Sequence, residues 1–304
     1  MRLDLAEKTA ITYSIVIPAR NEAAGLRHLL AELFPFLSAG AEVIVVNDGS
    51  DDATSLVCEE HGVNVLNHPY PKGNGAAIKS GARAARGDVL IFMDADGQHK
   101  PEDIPLLLNK FHEGYDMVVG ARTSGSQAGL HRAVANDFFS RFASWMVQQP
   151  VEDLTSGFRV VRADKFRKFL YLLPNGFSYP TTITMSFFRA GFSVAYVPIH
   201  TPRRVAGKSH VRPIRDGVRF LLIIIKIGTL YSPQKLFIPV SGVFFWTGLC
   251  YYLYTYLSVG RFTNMSALLF ISAILTFLIG VVSEQVSALH YKGIDDDSTS
   301  DRGF

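Results

Sequence analysis

Two long stretches near the C-terminus contain no charged residue, and they constrain the fold more than any other feature. They run from Leu236 to Gly260 and from Phe262 to Ser283, with Arg261 as the only charge between them. Each is longer than the roughly 20 apolar residues that a helix needs to cross a bilayer. We therefore predict a two-helix transmembrane hairpin over residues 236–290, which excludes a fully soluble protein.

A strongly basic segment leads into this hairpin. Between Arg203 and Lys235, Asp216 is the only acidic residue. Four basic side chains in this segment share one helical stripe, and apolar residues fill the opposite face. We predict that residues 211–235 form amphipathic interfacial helices whose basic side contacts lipid phosphates. The stripe consists of Arg212, Arg215, Arg219 and Lys226.

The distribution of charge also predicts how the chain is oriented. The flank before the hairpin is basic, whereas the short connection around Arg261 carries a single charge, so the positive-inside rule places the N-terminal part and the C-terminus in the cytoplasm. The first residues show no secretory signal. Cys58 and Cys250 are the only cysteines, and they fall in different predicted parts, which suits a reducing compartment. The acidic tail, residues 291–304, is predicted to be disordered.

Residues 1–210 alternate short apolar runs with stretches of helical spacing. Apolar runs without polar alternation are typical of strands buried on both faces of a parallel sheet. The succession predicts a doubly wound α/β domain. The hydrophobic content of 48% is sufficient for a large core, and the net charge of +3 is mild, so we expect no nucleic-acid partner. The predicted strands are residues 13–18, 42–47, 63–67, 89–94 and 117–120.

The strongest local signal is the segment VLIFMDADGQ, residues 89–98. Asp94 and Asp96 are separated by one residue at the end of a predicted buried strand, and Gln98 adds a neutral oxygen. Divalent cations such as Mg²⁺ and Mn²⁺ prefer carboxylate and phosphate oxygens, so this segment predicts a metal site that can present the cation to a diphosphate. The alternative is a turn in which the two aspartates cap the helix at Pro101.

Three further polar loops follow predicted strands or open predicted helices. They are PARNE from Pro18, NDGSDDAT from Asn47 and YPKGNGAA from Tyr70. Each alone is also typical of a turn with a helix cap. Because the carboxyl ends of parallel strands meet at one edge of a sheet, the loops converge with Asp94 and Asp96 where such sheets bind ligands.

Seven motifs, in order, resemble those of family 2 glycosyltransferases of the dolichyl-phosphate mannose synthase and polyprenyl-phosphate glucosyltransferase type. The resemblance covers residues 13–209, and the C-terminal hairpin resembles the membrane segment of some members. The motifs are PARNE, NDGSDDAT, KGNGAAIKSG, DADGQ, VVGAR from Val118, LTSGFR from Leu154 and RVAGKS from Arg204.

The resemblance implies a GT-A fold, a nucleotide-sugar donor, Mg²⁺ or Mn²⁺, and inverting transfer to a lipid phosphate. Departures occur at Asn136, where Ser is common, at Lys208, where an acid is common, and at His210, where Lys is common. The implied donor contacts are Pro18, Ala19, Arg20, Glu22, Asp48, Lys72, Asp94 and Ala95. The implied metal ligands are Asp94, Asp96 and Gln98. The implied contacts to the acceptor phosphate and diphosphate are Arg122, Arg132, Asn136, Arg204, Lys208 and Ser209.

Elementary chemistry agrees with a phosphate acceptor. A phosphate monoester has a second pKa near 6, so its oxygen is already anionic at neutral pH and needs no strong base. Arginines clamp such anions bidentately. We name Asp96, Arg122 and Asp153 as the catalytic set, in which Asp153 positions sugar hydroxyls or Arg159.

We therefore expect a membrane-bound hexosyltransferase that uses GDP-mannose or UDP-glucose and acts on a dolichyl or undecaprenyl phosphate at the cytoplasmic membrane face. One alternative is transfer to a sugar or lipid alcohol, which requires Asp153 as a base. The other is a non-catalytic, membrane-anchored binding module. The sequence does not predict the oligomeric state, and a homo-oligomer is one of the alternatives.

Overall fold

The computed structural model describes residues 12–37, 41–122, 130–176, 178–200, 222, 225–226, 228–229 and 232–300. For residues 130–138 and 290–300 only the backbone is described. The chain divides into two compact units, Met1–Gly217 and Val218–Phe304.

The first unit is built on a seven-stranded sheet with the order β3-β2-β1-β4-β6-β5-β7. β6 runs antiparallel to β4 and β5, and the other pairings are parallel. The predicted mostly parallel α/β domain is confirmed. The strands are β1 (Tyr13–Ala19), β2 (Glu42–Asn47), β3 (Asn64–Asn67), β4 (Val89–Phe92), β5 (Met117–Arg122), β6 (Arg159–Arg162) and β7 (Val194–Ile199).

Helices connect these strands. Gly81 shows how closely one of them packs, because a Cβ there would lie 2.3 Å from Val16 Cγ1 of β1. β1 and β4 are neighbours although the chain first builds β2 and β3 on the far side of β1, so a crevice opens between their carboxyl ends. The helices are α1 (Ala23–Leu33), α2 (Thr54–Glu60), α3 (Asn74–Ala84), α4 (Ile104–His112), α5 (Leu130–Val147), α6 (Ala163–Arg167) and α7 (Tyr179–Arg189).

The second unit contains two long apolar helices, α8 (Pro233–Val259) and α9 (Asn264–Ser300). Gly260 ends α8 with a φ of 67°, the left-handed conformation that suits a glycine cap. The two helices pack against each other through small residues, and Ser241 Oγ donates a hydrogen bond of 2.8 Å to the carbonyl of Ala273. Both are candidate membrane spans, over Pro233–Val259 and Asn264–Leu289.

The C-terminal tail differs from the prediction of disorder. α9 continues through Ser300, so residues 291–300 are helical. Adding turns to an existing helix avoids the cost of nucleation, which allows a polar sequence to continue a long apolar helix. Residues 301–304 lie outside the described residues. So do Arg212, Arg215 and Arg219 of the predicted basic stripe, whereas Lys226 is helical and exposed.

Gly280 provides a test of the hairpin's packing. A Cβ at this position would lie 2.7 Å from Phe237 Cβ, whereas a Cβ at Gly242 would meet nothing within 4 Å. We expect Gly280→Ala to destabilise the hairpin by about 1–3 kcal/mol, as overpacking does. The measurement is unfolding of the full chain in mixed micelles titrated with SDS, followed by circular dichroism.

Gly242→Ala is the matched control and should unfold at an equal or higher SDS fraction, because alanine favours helix over glycine. Equal stability of the two variants would contradict the close approach at Gly280.

Candidate active site

Asp94 and Asp96 lie in the loop that directly follows β4, at the carboxyl edge of the sheet. The Asp96 carboxylate accepts a hydrogen bond of 3.1 Å from the backbone N–H of Gln98. The backbone N–H of Asp94 donates to Nδ1 of the buried His99 at 3.1 Å. The Asp94 side chain is 34% exposed. The loop therefore holds both carboxylates in fixed positions beside the crevice between β1 and β4.

Two glycines lie directly against this aspartate loop. A Cβ at Gly157 would lie 2.6 Å from Asp94 Oδ2, and a Cβ at Gly25 of α1 would lie 2.6 Å from the carbonyl oxygen of Ala95. At Gly25 the obstacle is backbone, so only glycine fits there, whereas a Cβ at Gly157 would displace the end of the Asp94 side chain. We call the contact of Gly157, in the segment before β6, with the Asp94 carboxylate the cradle of Asp94.

Arg122, the last residue of β5, forms a bidentate ion pair with Asp153. Its Nε donates to Asp153 Oδ2 at 2.8 Å and its Nη2 donates to Oδ1 at 3.0 Å. The Asp153 side chain is only 2% exposed, whereas that of Arg122 is 28% exposed. The fork geometry fixes the guanidinium plane, so Arg122 presents its remaining surface to the crevice in a set orientation.

The oxygens of Asp153 are fully engaged. Besides Arg122, its carboxylate accepts the backbone N–H groups of Thr155 at 2.9 Å and Ser156 at 3.1 Å. Burial would raise the pKa of Asp153, but the hydrogen bonds and charge of Arg122 outweigh it and hold that pKa below its ordinary value. Asp153 is therefore an ionised anchor. Its partner in contact is Arg122, whereas the sequence analysis expected Asp153 to position sugar hydroxyls or Arg159.

The negative charges of the aspartate loop also act on Arg122. Burial would lower the pKa of Arg122, but Asp153 raises it, and the charges of Asp94 and Asp96 act in the same direction. Because charge influences fall off with distance, Arg122 lies within electrostatic range of both Asp153 and the aspartate pair. That Arg122, Asp94 and Asp96 form one catalytic site stays a prediction.

The loops after β1 and β2 are joined to each other. The backbone N–H of Asn21 donates to Ser50 Oγ and the Asn21 side-chain oxygen accepts from the N–H of Asp51, both at 2.9 Å. Asn21 has a φ of 53°, a left-handed conformation that asparagine tolerates better than most residues. These bonds hold exposed Arg20 and half-buried Glu22 at the rim of the crevice.

Asp48 is buried at the carboxyl end of β2 and holds the following loop. Its carboxylate accepts the N–H groups of Lys72 at 2.8 Å and Gly73 at 2.7 Å. Burial would raise the pKa of Asp48, but hydrogen bonding by His68 outweighs it and the pKa is lowered. His68 Nδ1 therefore donates to the Asp48 carboxylate at 2.7 Å, and its Nε2 lies 2.9 Å from Ser80 Oγ.

No role was predicted for His68 or Ser80 from the sequence pattern. A histidine after a predicted strand is a weak signal, because the histidine and its partners lie on separate elements. The predicted contact of Asp48 with a nucleotide stays a prediction.

The start of α3 is satisfied by protein groups. The N–H of Gly75 donates to the carbonyl of Gly176 at 3.1 Å, and that of Ala76 donates to the carbonyl of Asn175 at 2.9 Å. These amides are therefore not open to a phosphate. Lys72 is exposed in the preceding loop, with its ammonium group 5.6 Å from the centre of the Tyr70 ring.

Comparison with known proteins identifies the family. Residues 14–170 match glycosyl transferase family 2, which is more than half of the chain. The chain belongs to glycosyltransferase family 2. Residues 232–289 match a second family, the GtrB C-terminal hairpin, which includes both candidate membrane spans. The expected family and glycosyltransferase activity are thereby confirmed.

Two curated relatives come from Haloferax volcanii. The chain is 30% identical to a dolichyl-phosphate hexose transferase over 226 residues, which is 73% of this chain and 96% of the relative. It is 27% identical to glycosyltransferase AglJ over 292 residues, which is 91% of this chain and 94% of the relative.

Solved structures support the fold. Glucosyl-3-phosphoglycerate synthase from Mycobacterium tuberculosis, crystallised with Mn²⁺, UDP and glucosyl-3-phosphoglycerate, superposes with a TM-score of 0.57 at 20% identity, covering 72% of this chain and 79% of that chain. The same enzyme with Mn²⁺, UDP-glucose and phosphoglyceric acid gives a TM-score of 0.59 at 20% identity, covering 73% and 81%. The GT-A fold expected for this family 2 member is confirmed.

The structure of this family 2 transferase places six of the predicted site residues at the edge where β4 and β5 end. Pro18 and Ala19 end β1 beside them. The described backbone of α5 includes Arg132 and Asn136, but their side chains lie outside the description. Arg204, Lys208 and Ser209 lie outside the described residues altogether. The six are Asp94, Ala95, Asp96, Gln98, Arg122 and Asp153.

Gly157 provides a test of the cradle under Asp94. We expect Gly157→Ala to displace the Asp94 carboxylate and to lower glycosyl transfer about 100-fold, the cost typical of a 1 Å misplacement in an active site. The measurement is the initial rate of transfer, together with the melting temperature to show that the domain folds.

Gly176→Ala is the matched control, because a Cβ there would meet nothing within 4 Å. Equal activity of the Gly157 and Gly176 variants would show that the cradle does not position Asp94.

Proposed function

We propose that this family 2 transferase moves a hexose from a nucleotide sugar to a polyprenyl phosphate at the cytoplasmic membrane face, with inversion and with Mg²⁺ or Mn²⁺. The observation that carries the proposal is Arg122, which is fixed by the buried Asp153 beside the aspartate loop. This site offers a positioned cation where an acceptor must bind, and its nearest buried carboxylate is already paired.

The state of Asp153 favours a phosphate acceptor over an alcohol. An alcohol must lose a proton as it attacks, which calls for a base. Asp153 has a lowered pKa and accepts hydrogen bonds from Arg122, Thr155 and Ser156 on its oxygens, so it is a poor proton acceptor. A phosphate monoester is anionic near neutral pH and requires only binding and orientation, which Arg122 supplies.

The relatives and the hairpin support a lipid acceptor. The Haloferax volcanii relative is named a dolichyl-phosphate hexose transferase, and the chain covers nearly all of its length. The two apolar helices give the chain a place in the membrane where a polyprenyl tail resides. The basic flank before them predicts that the catalytic unit faces the cytoplasm.

The residues of the aspartate loop fit a divalent cation. Asp94, Asp96 and Gln98 offer hard oxygen ligands, and the cradle at Gly157 keeps the Asp94 carboxylate in place. Within the described part of the chain, no group of three or more His, Cys, Asp or Glu side chains is arranged to hold a metal. Diphosphate oxygens would therefore complete the coordination. The cation's chemistry is to neutralise the leaving diphosphate.

The same arrangement of loops supports a binding position for the donor. Its diphosphate would lie at the aspartate loop and its nucleoside would extend along the loops after β1 and β2, near Arg20, Glu22 and Asp48. We propose either UDP-glucose or GDP-mannose as the donor. The structural neighbour that was crystallised with Mn²⁺ and UDP-glucose is an example of such a donor on this fold.

The substitution Asp96→Ala tests the enzyme proposal. We expect loss of at least 100-fold in transfer of radiolabelled sugar into the organic phase, because a positioned metal ligand supplies several kcal/mol of charge stabilisation. The assay supplies UDP-glucose and GDP-mannose in turn, with undecaprenyl and dolichyl phosphate.

Asp164→Ala is the control, since Asp164 is exposed on α6. Full activity of the Asp96 variant, or label that never enters lipid in the unsubstituted chain, would contradict the proposal.

A double-mutant cycle distinguishes the phosphate acceptor from the alcohol. If Asp153 acts only through Arg122, Asp153→Asn and Arg122→Gln should each raise the KM for lipid phosphate about tenfold, and the double variant should be no worse than either. The measurement is the steady-state rate as a function of acceptor concentration.

If Asp153 were the base, Asp153→Asn would instead lower kcat by about 100-fold or more, independently of Arg122. That result would favour the alcohol acceptor.

A further inference from the structure

Among the described residues, no carboxylate contacts the buried cation Arg159. It begins β6 opposite Phe92 of β4, and its side chain is completely buried. Its Nη1 donates to the carbonyl of Pro180 and to Thr184 Oγ1, both at 3.3 Å, and its Nη2 donates to the carbonyl of Ser156. Within the described part of the chain, its Nε has no hydrogen-bond partner. The acceptors of these three bonds are neutral oxygens.

The charge on Arg159 persists despite its burial. Burial lowers the pKa of Arg159, but a guanidinium is so strong a base that it stays protonated in proteins. A fixed positive charge in a poorly polarisable interior acts over a longer range than it would in water. Among the groups that feel it are Asp153 and Asp94, whose negative charges favour the protonated guanidinium.

One hydrogen bond of Arg159 ends on the segment that lies against Asp94. The carbonyl of Ser156 accepts from Arg159, and its N–H donates to Asp153. The carbonyl of the next residue, Gly157, accepts a bond of 3.1 Å from the hydroxyl of buried Tyr179. Gly157 in turn forms the cradle for the Asp94 carboxylate. Arg159 therefore acts on Asp94 both through the backbone and through its charge.

We propose that Arg159 is a positioning residue that serves as the fixed counter-charge of the aspartate loop, so that the divalent cation binds the free enzyme weakly and binds tightly together with the donor diphosphate. The inference rests on the proposed metal and diphosphate site. A positive charge behind Asp94 repels a cation that arrives alone. The same charge attracts the diphosphate, and the negative charge of the diphosphate then helps to bind the cation.

The two effects have opposite signs, and this makes them measurable. Removing the charge at Arg159 strengthens binding of the cation to the free enzyme and weakens binding of a nucleotide diphosphate without the cation. A purely structural role moves both affinities in the same direction, because a displaced Asp94 binds the cation less well. The direction of the change in cation affinity therefore separates the two roles.

The test uses the full chain in detergent and Mn²⁺ alone as the probe, with free Mn²⁺ counted by electron paramagnetic resonance. We expect Arg159→Met to lower the Kd for Mn²⁺ about tenfold, the scale of one unit charge acting on a divalent ion across a partly polar interior. Calorimetry with UDP and with GDP, each in EDTA, should show weaker binding by that variant.

Three further variants serve as controls. Arg162→Met makes the same change on the same strand, but Arg162 pairs with Asp116 at 3.3 Å, so Mn²⁺ affinity should not change. Tyr179→Phe removes the bond to Gly157 without a change in charge and should not tighten Mn²⁺ binding. Arg159→Lys keeps a basic side chain without the guanidinium fork and should bind Mn²⁺ no more weakly than the unsubstituted chain, whether that lysine is charged or neutral.

Mn²⁺ binding by Arg159→Met that is unchanged or weaker would overturn the proposal. If Arg159→Met does not fold, a loss of Mn²⁺ affinity in Arg159→Lys would overturn it, because neither a charged nor a neutral lysine repels Mn²⁺ more strongly than arginine does. Failure of the unsubstituted chain to label any lipid phosphate would count against the proposed function. The Mn²⁺ titrations would still report on Arg159.

Discussion

The site depends on several charged side chains that lie near one another in a protein interior, where charge is screened weakly. Asp94, Asp96 and Asp153 lie within electrostatic reach of Arg122, and Asp94 and Asp153 lie within reach of Arg159. Like charges raise each other's free energy unless opposite charges lie near them. Arg122 is paired with the buried Asp153 and is also stabilised by the charges of the aspartate loop, so one small region holds both signs of charge.

The antiparallel strand β6 makes this arrangement possible. It lies between β4 and β5, so the segment that precedes it returns to the edge where β4 ends. That segment supplies Asp153, which anchors Arg122, and Gly157, which supports Asp94. A parallel strand at this position would deliver its preceding residues to the opposite edge of the sheet. The reversal of one strand thus brings an acid, an arginine and the aspartate loop together.

Much of this could be predicted from local sequence. The apolar runs predicted the strands that precede Asp48 and Asp94, and the uncharged stretches predicted the two apolar helices, because each signal is contained in one short segment. The partner of Asp153, the contact of His68 with Asp48 and the capping of α3 by residues 175 and 176 join distant segments. β6 reads Arg-Val-Val-Arg, and two apolar residues between arginines are too few for a clear pattern.

The central claim is that the acceptor is already an anion and is held by Arg122 rather than activated by a base. The most direct measurement compares initial rates with polyprenyl phosphate and with polyprenol of the same chain length, in the same micelles and with the same nucleotide sugar. We expect the radiolabelled sugar to enter the organic phase with the polyprenyl phosphate and not with the polyprenol. Equal or faster transfer to the alcohol would contradict it.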